Sequence, residues 1–311
     1  MDSTLDVRVA IILVNWNGLD FTRSCLDSLR KVDFPDFQVF VVDNASQNKE
    51  AEVLKSAFPE IELIQSRKNR GFTGGNNLGI QAALDQAFSH VLLLNNDTLV
   101  EPDFLKKMME TMQSDPNLGV VQPMICFLHD RGKIWSAGGK WNSLFCRAMT
   151  LGDRKKLDGY EIKSNNLDWA TGCALLISKK ALEAVGTLDD NFFAYFEDVD
   201  WSLRIRKAGF EIALCEAAKI YHEAGASSKQ KGSEGTLSPR VFYFHARNQF
   251  YLIRKHSGGA HYFLAVIYHS FRFLAWMVYF CLRGRFKKLN AVFNGFRDGL
   301  TDTLLEVKEW R

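Results

Sequence analysis

The sequence predicts an α/β fold, in which an open and mostly parallel β-sheet carries helices on its faces. Short apolar runs rich in Val and Ile, of which Val7–Asn15 is the first, have the length and the β-branching of buried parallel strands. Helical periodicity follows each of the first four runs, an alternation typical of a doubly wound sheet. Several runs also end in Asn or Asp, and such sheets bind ligands beyond the carboxyl ends of their strands.

Five strands are expected in the first half of the chain. Their predicted ranges are Val7–Asn15, Gln38–Val42, Ile61–Gln65, His90–Leu94 and Leu118–Met124, with helices between them. Because the carboxyl ends of neighbouring parallel strands meet at one edge of a sheet, we expect Asn15 and Trp16 to lie beside Asp43 and Asn44.

The second half of the chain is less regular. Residues 125–167 carry Trp135 and Trp141 among glycines and polar residues, which predicts a hairpin or an excursion from the sheet. Strand character returns over Asp168–Ile177, and two short strands are predicted at Phe210–Leu214 and Lys219–Tyr221.

Composition limits the classes of function. A chain of 311 residues that is 47% hydrophobic can form one large core with an appendage. Its net charge of +3 is too small to indicate a nucleic-acid partner. The acidic start predicts no signal peptide, and the six scattered cysteines predict reduced thiols in the cytosol and no zinc site.

A glycine-rich stretch runs from Asn69 to Ile80 and precedes a helix that we expect to begin near Gly74. Glycines at a helix start let backbone amides approach an anionic ligand. The stretch lacks the lysine of a phosphate-binding P-loop and the GxGxxG spacing of dinucleotide folds. The alternative is a turn with no ligand.

Two acidic sites lie far apart in the sequence. Asp97 follows the fourth strand and its two asparagines, where a carboxylate can hold a hard divalent cation; the alternative is an Asx turn. Glu197, Asp198 and Asp200 lie among aromatic residues at the start of a helical pattern. Burying unpaired carboxylates among rings is costly, so we expect this cluster to face a ligand, a metal or a cleft.

The helix dipole should keep Glu197 and Asp198 ionised if both occupy the first turn of that helix. The alternative interpretation of the cluster is an acidic helix start with no further role. His222 follows a predicted strand downstream of the carboxylates, and it is either a ligand or a structural residue.

The C-terminal part has a different composition. Residues 224–239 are rich in Gly and Ser, which predicts a linker or a lid. Ala260–Leu282 is long enough to span a bilayer, but Arg272, His261 and His269 within it argue against a simple spanning helix. Basic residues flank it on both sides, which favours a helix in the headgroup layer of an anionic membrane. The alternative is a helix buried against the main domain.

Together these segments resemble the family 2 inverting glycosyltransferases of the GT-A fold, within the branch that holds bacterial rhamnosyltransferases. The resemblance covers about residues 7–256. Its markers, in chain order, are Val14–Asn17, Val42–Ser46, Asn69–Ile80, Leu94–Thr98, Trp169–Gly172, Glu197–Trp201 and His222.

The resemblance implies roles for individual residues. Nucleotide contacts are implied for Asn15, Trp16, Asp43, Asn44, Asn69, Gly71, Phe72, Asn76, Asn95 and Asn96. Acceptor contacts are implied for Trp169, Thr171, Gly172 and Trp201. Asp97 corresponds to the last Asp of the family's DxD motif, whose first position here is Asn95, so His222 is expected to add a ligand for Mg²⁺ or Mn²⁺. Asp198 corresponds to the catalytic base, with Glu197 beside it.

The function implied is metal-dependent, inverting transfer of a sugar, with L-rhamnose from dTDP-rhamnose preferred and UDP-galactofuranose or a UDP-hexose as alternatives. The acceptor would be a glycan or lipid-linked hydroxyl in cell-surface polysaccharide synthesis, at the cytoplasmic face of the membrane. We expect a GT-A domain over residues 1–225, a loop or lid over 226–239 and a helical, peripherally membrane-associated region over 240–311.

Three rival classes are weighed against this function. A nucleotidyltransferase would carry a basic glycine-rich loop near the first strand, where this chain has Trp16-Asn17-Gly18. A non-catalytic nucleotide-sugar-binding subunit would be expected to lack Asp97 and Asp198, and both are present. A purely structural membrane-associated protein leaves the carboxylates at strand and helix ends unexplained.

Overall fold

The computed structural model describes residues 8–162, 164–223, 234 and 236–301. Their strands are β1 (Val9–Asn15), β2 (Phe37–Asp43), β3 (Glu62–Gln65), β4 (His90–Leu94), β5 (Thr98–Val100), β6 (Leu118–Phe127), β7 (Ile134–Ser136), β8 (Gly139–Asn142), β9 (Arg147–Thr150), β10 (Ala174–Ser178) and β11 (Glu211–His222). Their α-helices are α1 (Leu19–Leu29), α2 (Glu50–Ala57), α3 (Gly71–Asp85), α4 (Phe104–Ser114), α5 (Lys179–Val185), α6 (Glu197–Lys207), α7 (Pro239–His256), α8 (Gly259–Leu282) and α9 (Phe286–Leu300).

The main sheet has the order β3-β2-β1-β4-β10-β6-β11-β5, with β7 paired to β6. The pairs β2–β3, β1–β2, β1–β4 and β6–β11 are parallel, which confirms the predicted α/β class. Strand β10 runs antiparallel between β4 and β6, so the sheet is more mixed than the sequence predicts. The reason is that β10 follows the excursion through β7–β9 and not a helical crossover, which parallel pairing requires.

Both faces of the sheet are buried. Along β1, Val9, Ile11 and Leu13 belong to one apolar cluster, and Ala10 and Ile12 belong to the cluster on the other face. A strand covered on both sides must be apolar at every position, which explains the continuous run that predicted it.

The glycine-rich stretch lies inside a helix. α3 begins at Gly71, three residues before the predicted start. A Cβ on Gly79 would lie 2.5 Å from the Cγ2 atom of Ile12, and one on Gly75 would lie 2.8 Å from Cγ1 of Val14. These glycines therefore let α3 pack closely on β1, a demand that the sequence alone does not distinguish from ligand binding.

The last strand of the sheet also differs from the prediction. β11 is a single strand with an irregularity between Cys215 and Lys219, where two short strands were expected. A bulge interrupts the local pattern without ending the strand. Its far end carries His222, which pairs in register with Thr98 on β5.

The described residues form two compact units. The first holds those of Met1–Lys140, Met149–Phe193 and Glu197–Ala224; the second holds those of Trp141–Ala148, Ala194–Phe196 and Gly225–Arg311. The two short segments join the second unit because α7 binds them: Gln249 donates to the Cys146 carbonyl at 2.9 Å, and Asn248 donates to the Ala194 carbonyl at 2.8 Å. Most of the predicted loop or lid at 226–239 lies outside the described residues, and α7 begins at Pro239.

Helices α7, α8 and α9 form the core of the second unit. Gly295 of α9 packs so closely on α7 that a Cβ there would lie 2.3 Å from the Tyr243 carbonyl oxygen. On α8, the buried His269 bonds through Nε2 to the Phe145 carbonyl at 2.9 Å. Within the described ranges, α8 is the one helix whose length and composition would allow it to cross a membrane.

Candidate active site

Asn15 and Asp43 meet at the carboxyl ends of β1 and β2, as expected. The Asn15 amide nitrogen donates to Oδ1 of Asp43 at 3.1 Å and to Oε2 of Glu50 at 2.9 Å. Its amide oxygen accepts from the Thr22 hydroxyl at 2.7 Å, and the side chain is fully buried. The Asn15 side chain is thus engaged within the protein and orients the Asp43 carboxylate. Trp16, the next residue, is 37% exposed.

Asn44 and Asn69 shape the turn that leads into α3. The Asn44 amide nitrogen donates to the carbonyl of Gly71 at 2.9 Å and to Oδ1 of Asn69 at 3.1 Å. The Gly71 amide donates to the same Asn69 oxygen at 2.8 Å. Gly71 has φ +73°, and a Cβ there would lie 2.3 Å from the Phe193 carbonyl oxygen. The turn therefore requires glycine and contacts the segment before the acidic cluster.

Phe72, Gly172 and Asp198 come together from three distant parts of the chain. A Cβ on Gly172 would lie 2.9 Å from Cζ of Phe72 and 3.6 Å from Cβ of Asp198. The Asn76 amide, itself buried, donates to the Phe72 carbonyl at 2.9 Å. Through Gly172, the Phe72 ring at the start of α3 lies close to Asp198 at the start of α6.

The structure brings Asp97 and His222 together although 125 positions separate them in the sequence. Nε2 of His222 lies 3.0 Å from Oδ1 of Asp97, and 3.4 Å from the amide nitrogen of Asn95. Both members of the pair are buried, and Nδ1 of His222 has no hydrogen-bond partner among the described residues. Asn96 instead donates to the Thr22 hydroxyl at 2.8 Å.

The Asp97–His222 pair fits a divalent cation as a site with two protein ligands. The described residues contain no group of three or more His, Cys, Asp or Glu side chains that could hold a metal. A cation here would take its other ligands from water or phosphate oxygens, as Mg²⁺ and Mn²⁺ do when they bind a diphosphate.

Asp198 is held by two backbone amides. Gly172 N donates to its Oδ2 at 3.0 Å, and Val199 N donates to its Oδ1 at 2.8 Å. These bonds and one from the Thr171 side chain lower the pKa of Asp198, but burial outweighs them, so the pKa lies above its usual range.

The pKa of the neighbouring Glu197 is raised as well. Burial and, secondarily, the Asp198 charge raise the pKa of Glu197 well above its usual range. Its Oε2 atom is buried without a hydrogen-bond partner in the described part of the chain. Burial therefore opposes the helix dipole, which contributes about 0.3–1 kcal/mol, and the pKa of each carboxyl group moves in the direction opposite to the one expected from the dipole. Two backbone amides hold the Asp198 carboxylate, whereas Oε2 of Glu197 has no such donor among the described residues, so Asp198 is the carboxylate whose charged form the protein stabilises by hydrogen bonds.

The remaining predicted residues of this region are buried. Asp200 forms an ion pair with Arg204 at 3.0 Å. Trp201 is fully buried, and its indole N–H donates to the Gly186 carbonyl at 2.8 Å. α6 turns this side chain into the core, away from solvent, and the predicted acceptor contact of Trp201 stays an untested prediction.

Thr171 and Trp169, two other residues predicted to contact the acceptor, each have a hydrogen-bond partner within the protein. Thr171 N donates to Oε1 of Gln122 at 2.8 Å, which fixes the turn before Gly172. The Trp169 indole N–H donates to the Lys140 carbonyl at 3.2 Å, and its ring covers Gly139. The acceptor roles of Trp169, Thr171 and Gly172 stay predictions.

The segment before Glu197 has a strained backbone. Phe193, Tyr195 and Phe196 have φ of +64°, +72° and +72°, values that bulky residues rarely adopt. Such residues cost of order 1–3 kcal/mol each and cluster at functional sites. Within the second unit, Asn248 donates to the carbonyls of Ala194 and Tyr195, both at 2.8 Å. Sequence reasoning missed Asn248, because nothing in its local pattern sets it apart from other helix residues.

The mixed α/β sheet with flanking helices is the GT-A fold of glycosyltransferases. Solved structures share this fold. Staphylococcus aureus TarS in complex with UDP-GlcNAc matches with a TM-score of 0.59 at 17% identity, over 96% of this chain and 83% of that one. A Pyrobaculum calidifontis mannosyltransferase in complex with GDP-Man and Mn²⁺ matches with a TM-score of 0.58 at 15% identity, over 97% and 89%.

Proteins of similar sequence include transferases of hexose and rhamnose. A Haloferax volcanii hexosyltransferase of low-salt glycan biosynthesis is 26% identical over 69% of this chain, although the match spans just 66% of the relative's own length. A Shigella flexneri dTDP-rhamnosyl transferase is 27% identical over 70% of this chain and 71% of its own. A Mycobacterium tuberculosis N-acetylglucosaminyl-diphospho-decaprenol L-rhamnosyltransferase is 22% identical over 80% and 85%.

Residues 7–235 match the family model described as glycosyltransferase like family 2. The chain belongs to this family, and the protein is a glycosyltransferase. The resemblance drawn from the sequence motifs is thereby confirmed.

Proposed function

We propose that this protein is a metal-dependent, inverting glycosyltransferase that moves L-rhamnose from dTDP-L-rhamnose to a hydroxyl of a glycan or lipid-linked acceptor. The observation that carries the proposal is the placement of Asp198. Two backbone amides hold its carboxylate, and burial raises its pKa, so it is both oriented and more basic than an exposed aspartate.

In the proposed reaction, Asp198 accepts the proton of the acceptor hydroxyl. The hydroxyl oxygen forms a bond to the anomeric carbon as the bond from that carbon to the diphosphate oxygen breaks. The nucleoside diphosphate carries away the electron pair, and attack from the opposite face inverts the anomeric centre. Burial raises the pKa of Glu197, which favours its protonated form beside the Asp198 carboxylate, and in that form Glu197 would donate a hydrogen bond to the acceptor.

Asp97 and His222 would hold the divalent cation, Mg²⁺ or Mn²⁺, which neutralises the charge of the departing diphosphate. Support for a cation comes from the donor pair itself and from the Mn²⁺ in the mannosyltransferase complex. Asn95, whose amide lies beside His222, would face the same diphosphate.

The nucleotide would lie along the carboxyl edge of β1, β2 and β4. Trp16 offers an exposed ring for the base, and Asp43 offers a carboxylate that Asn15 orients. We assign Asn44 and Asn69 to the shape of the turn at Gly71. Phe72, Asn76 and Asn96 complete the proposed nucleotide side.

The choice of donor rests on the named relatives. The Shigella and mycobacterial proteins are rhamnosyltransferases by name, which favours dTDP-rhamnose. TarS binds UDP-GlcNAc, so a UDP-hexose or UDP-galactofuranose is the alternative donor. The mycobacterial name also indicates a lipid-linked acceptor, which supports action at the cytoplasmic face of a membrane in cell-surface polysaccharide synthesis.

A transfer assay tests the proposal. The protein is incubated with Mn²⁺, dTDP-L-rhamnose and a polyprenyl-diphosphate-linked N-acetylglucosamine, and NMR determines the anomeric configuration of the product. We expect a rhamnoside of configuration opposite to the donor. If the protein binds the nucleotide sugar but transfers the sugar to none of the acceptors in a panel, the result would favour the rival class, a non-catalytic nucleotide-sugar-binding subunit.

A further inference from the structure

Helix α8 has two faces of different character. Its inner face is buried in the second unit through Ala265, His269, Phe273 and Phe280. Six large apolar side chains, each between 48% and 82% exposed, lie on the other side: Phe263, Ile267, Phe271, Leu274, Val278 and Leu282. Their spacing of three or four residues places them on a single side of the helix, which we call the apolar face of α8.

Such a face is unusual for a protein surrounded by water. Single exposed apolar residues are common, but a contiguous apolar surface along a whole helix marks an interaction site. The helix has 24 residues, and its sequence contains no Asp or Glu. Nothing on the apolar face therefore disfavours a hydrocarbon environment.

The charges at both ends of α8 indicate what covers this face. Arg254 and Lys255 lie in the last turn of α7, which precedes α8, and the Arg254 guanidinium also donates to the Gly299 carbonyl. Arg283 and Arg285 follow α8. Basic side chains beside an apolar helix face complement a surface of anionic lipid headgroups. Two copies of this chain pairing in parallel through the same face would instead bring like charges together at each end, which disfavours association.

The inner face of α8 shows why the helix would lie along a membrane and not cross it. His269 bonds to the Phe145 carbonyl, and the Arg272 guanidinium stacks over the rings of Phe273 and Trp276, at 4.8 and 5.4 Å from their centroids. A spanning position would take these polar groups into hydrocarbon, at high cost.

We propose that α8 lies in the plane of an anionic membrane surface, with its apolar face inserted to the acyl boundary and its basic ends on the headgroups. This proposal rests on the proposed function in one respect: the lipid-linked acceptor is the reason why the protein would bind a membrane. The binding surface itself is argued from α8 alone.

Vesicle flotation without nucleotide tests the surface. The full chain is mixed with phosphatidylglycerol–phosphatidylcholine vesicles or with pure phosphatidylcholine vesicles, and the bound fraction is measured. We expect binding to the anionic vesicles, and a loss of at least about 10-fold in affinity for Phe271→Glu and for Ile267→Glu. The control is Val53→Glu, an equal charge change at an exposed valine of α2, which should bind like the unchanged protein. Equal binding of all variants would overturn the proposal.

Cys281 allows a second measurement. It is exposed, and the five other cysteines are buried, so an environment-sensitive maleimide dye will label it selectively. We expect a blue shift with anionic vesicles that high salt reverses, and a weaker response in the Arg283→Gln, Arg285→Gln double variant. Binding that resists salt and requires detergent for release would indicate a spanning helix and contradict the proposal.

Sedimentation velocity covers the remaining outcome. A stable dimer of the unchanged protein that Phe271→Glu dissociates would assign the apolar face to a second copy and overturn the proposal. Nucleotide binding, measured in solution for each variant, should not change. If the proposed function is wrong, the unchanged protein will bind no nucleotide. If only the membrane-binding proposal is wrong, nucleotide binding will be present and vesicle binding will not depend on the apolar face of α8.

Discussion

The backbone N–H of Gly172 donates a hydrogen bond to Oδ2 of Asp198 at 3.0 Å, and this contact joins the turn before β10 to the first turn of α6. It fixes the orientation of the carboxylate that we propose as the general base. A side chain at position 172 would press on the Phe72 ring, so the contact also depends on the start of α3.

Asp198→Asn should lower kcat at least about 100-fold, because an amide cannot accept the acceptor proton. Nucleotide binding should be unchanged, since the variant keeps the shape of the side chain. The check is steady-state kinetics beside calorimetric titration with the nucleoside diphosphate. Asp20→Asn, at an exposed position of α1, is the control and should keep full activity. Near-normal turnover of Asp198→Asn would remove this residue from the mechanism.

Gly172→Ala should lower kcat by roughly 10-fold, because the added Cβ would lie 2.9 Å from the Phe72 ring and displace the amide that holds Asp198. Combination with Phe72→Leu, which removes the clash, should restore part of the loss. Because Phe72 also lies on the proposed nucleotide side, Phe72→Leu alone is the reference for the double variant. If Gly172→Ala lowers kcat as much in the Phe72→Leu background as in the unchanged protein, the clash is not the cause.

Glu197→Gln should raise the thermal stability at neutral pH. Burial raises the folded-state pKa of Glu197, so the folded protein retains a proton that the unfolded chain releases above about pH 4.3. Stability then falls as pH rises from that value towards the folded pKa. Glutamine removes this dependence, so the gain in Tm should be larger at pH 7 than at pH 4. A gain that is equal at both pH values would contradict the raised pKa.

Asp97→Ala should abolish the metal-dependent part of nucleoside diphosphate binding, and His222→Ala should weaken it, because the two side chains are the proposed protein ligands. Calorimetric titrations with and without Mn²⁺ measure both effects. Asp103→Ala, at an exposed carboxylate near the start of α4, serves as the control. An affinity of Asp97→Ala that still rises with Mn²⁺ as in the unchanged protein would refute the metal role.

Asn248→Leu should lower kcat by roughly 10-fold with little change in nucleotide affinity. The Asn248 amide holds the carbonyls of Ala194 and Tyr195, and hydrogen bonds of this kind contribute about 0.5–1.5 kcal/mol each. Their loss frees a strained segment that ends one residue before Glu197. Asn290→Leu, at an exposed position of α9, is the control. A parallel loss of kcat and of thermal stability sufficient to unfold the protein at the assay temperature would instead assign Asn248 a structural role.

The sequence predicts much of this architecture because buried strands and amphipathic helices leave local patterns. The run Val7–Asn15 is apolar throughout because both of its faces are covered, and the polar residues at its end mark the ligand edge. The antiparallel insertion of β10 leaves no such pattern, since strand direction depends on the path of the excursion before it.

The candidate site, like the fold, could be predicted from the sequence only in part. Residue types and motif order indicate Asp97, Asp198 and His222, but only the fold shows that Asp97 and His222 lie 3.0 Å apart. Trp201 is buried in the core of the first unit, and the strained Tyr195 is bound by Asn248 within the second unit. Both features depend on long-range packing, and no local pattern encodes either. Long-range packing also buries Glu197 and raises its pKa, against the effect of the helix dipole from which the sequence expectation was drawn.

The most direct test of the central claim is a thermal-shift panel of nucleotides and nucleotide sugars, each with and without Mn²⁺. We predict Mn²⁺-dependent stabilisation by dTDP and dTDP-rhamnose that exceeds the response to the UDP and GDP series. A preference for UDP would keep the mechanism and replace the donor. No response to any nucleotide, with or without the metal, would contradict the account of a metal-dependent nucleotide-sugar enzyme.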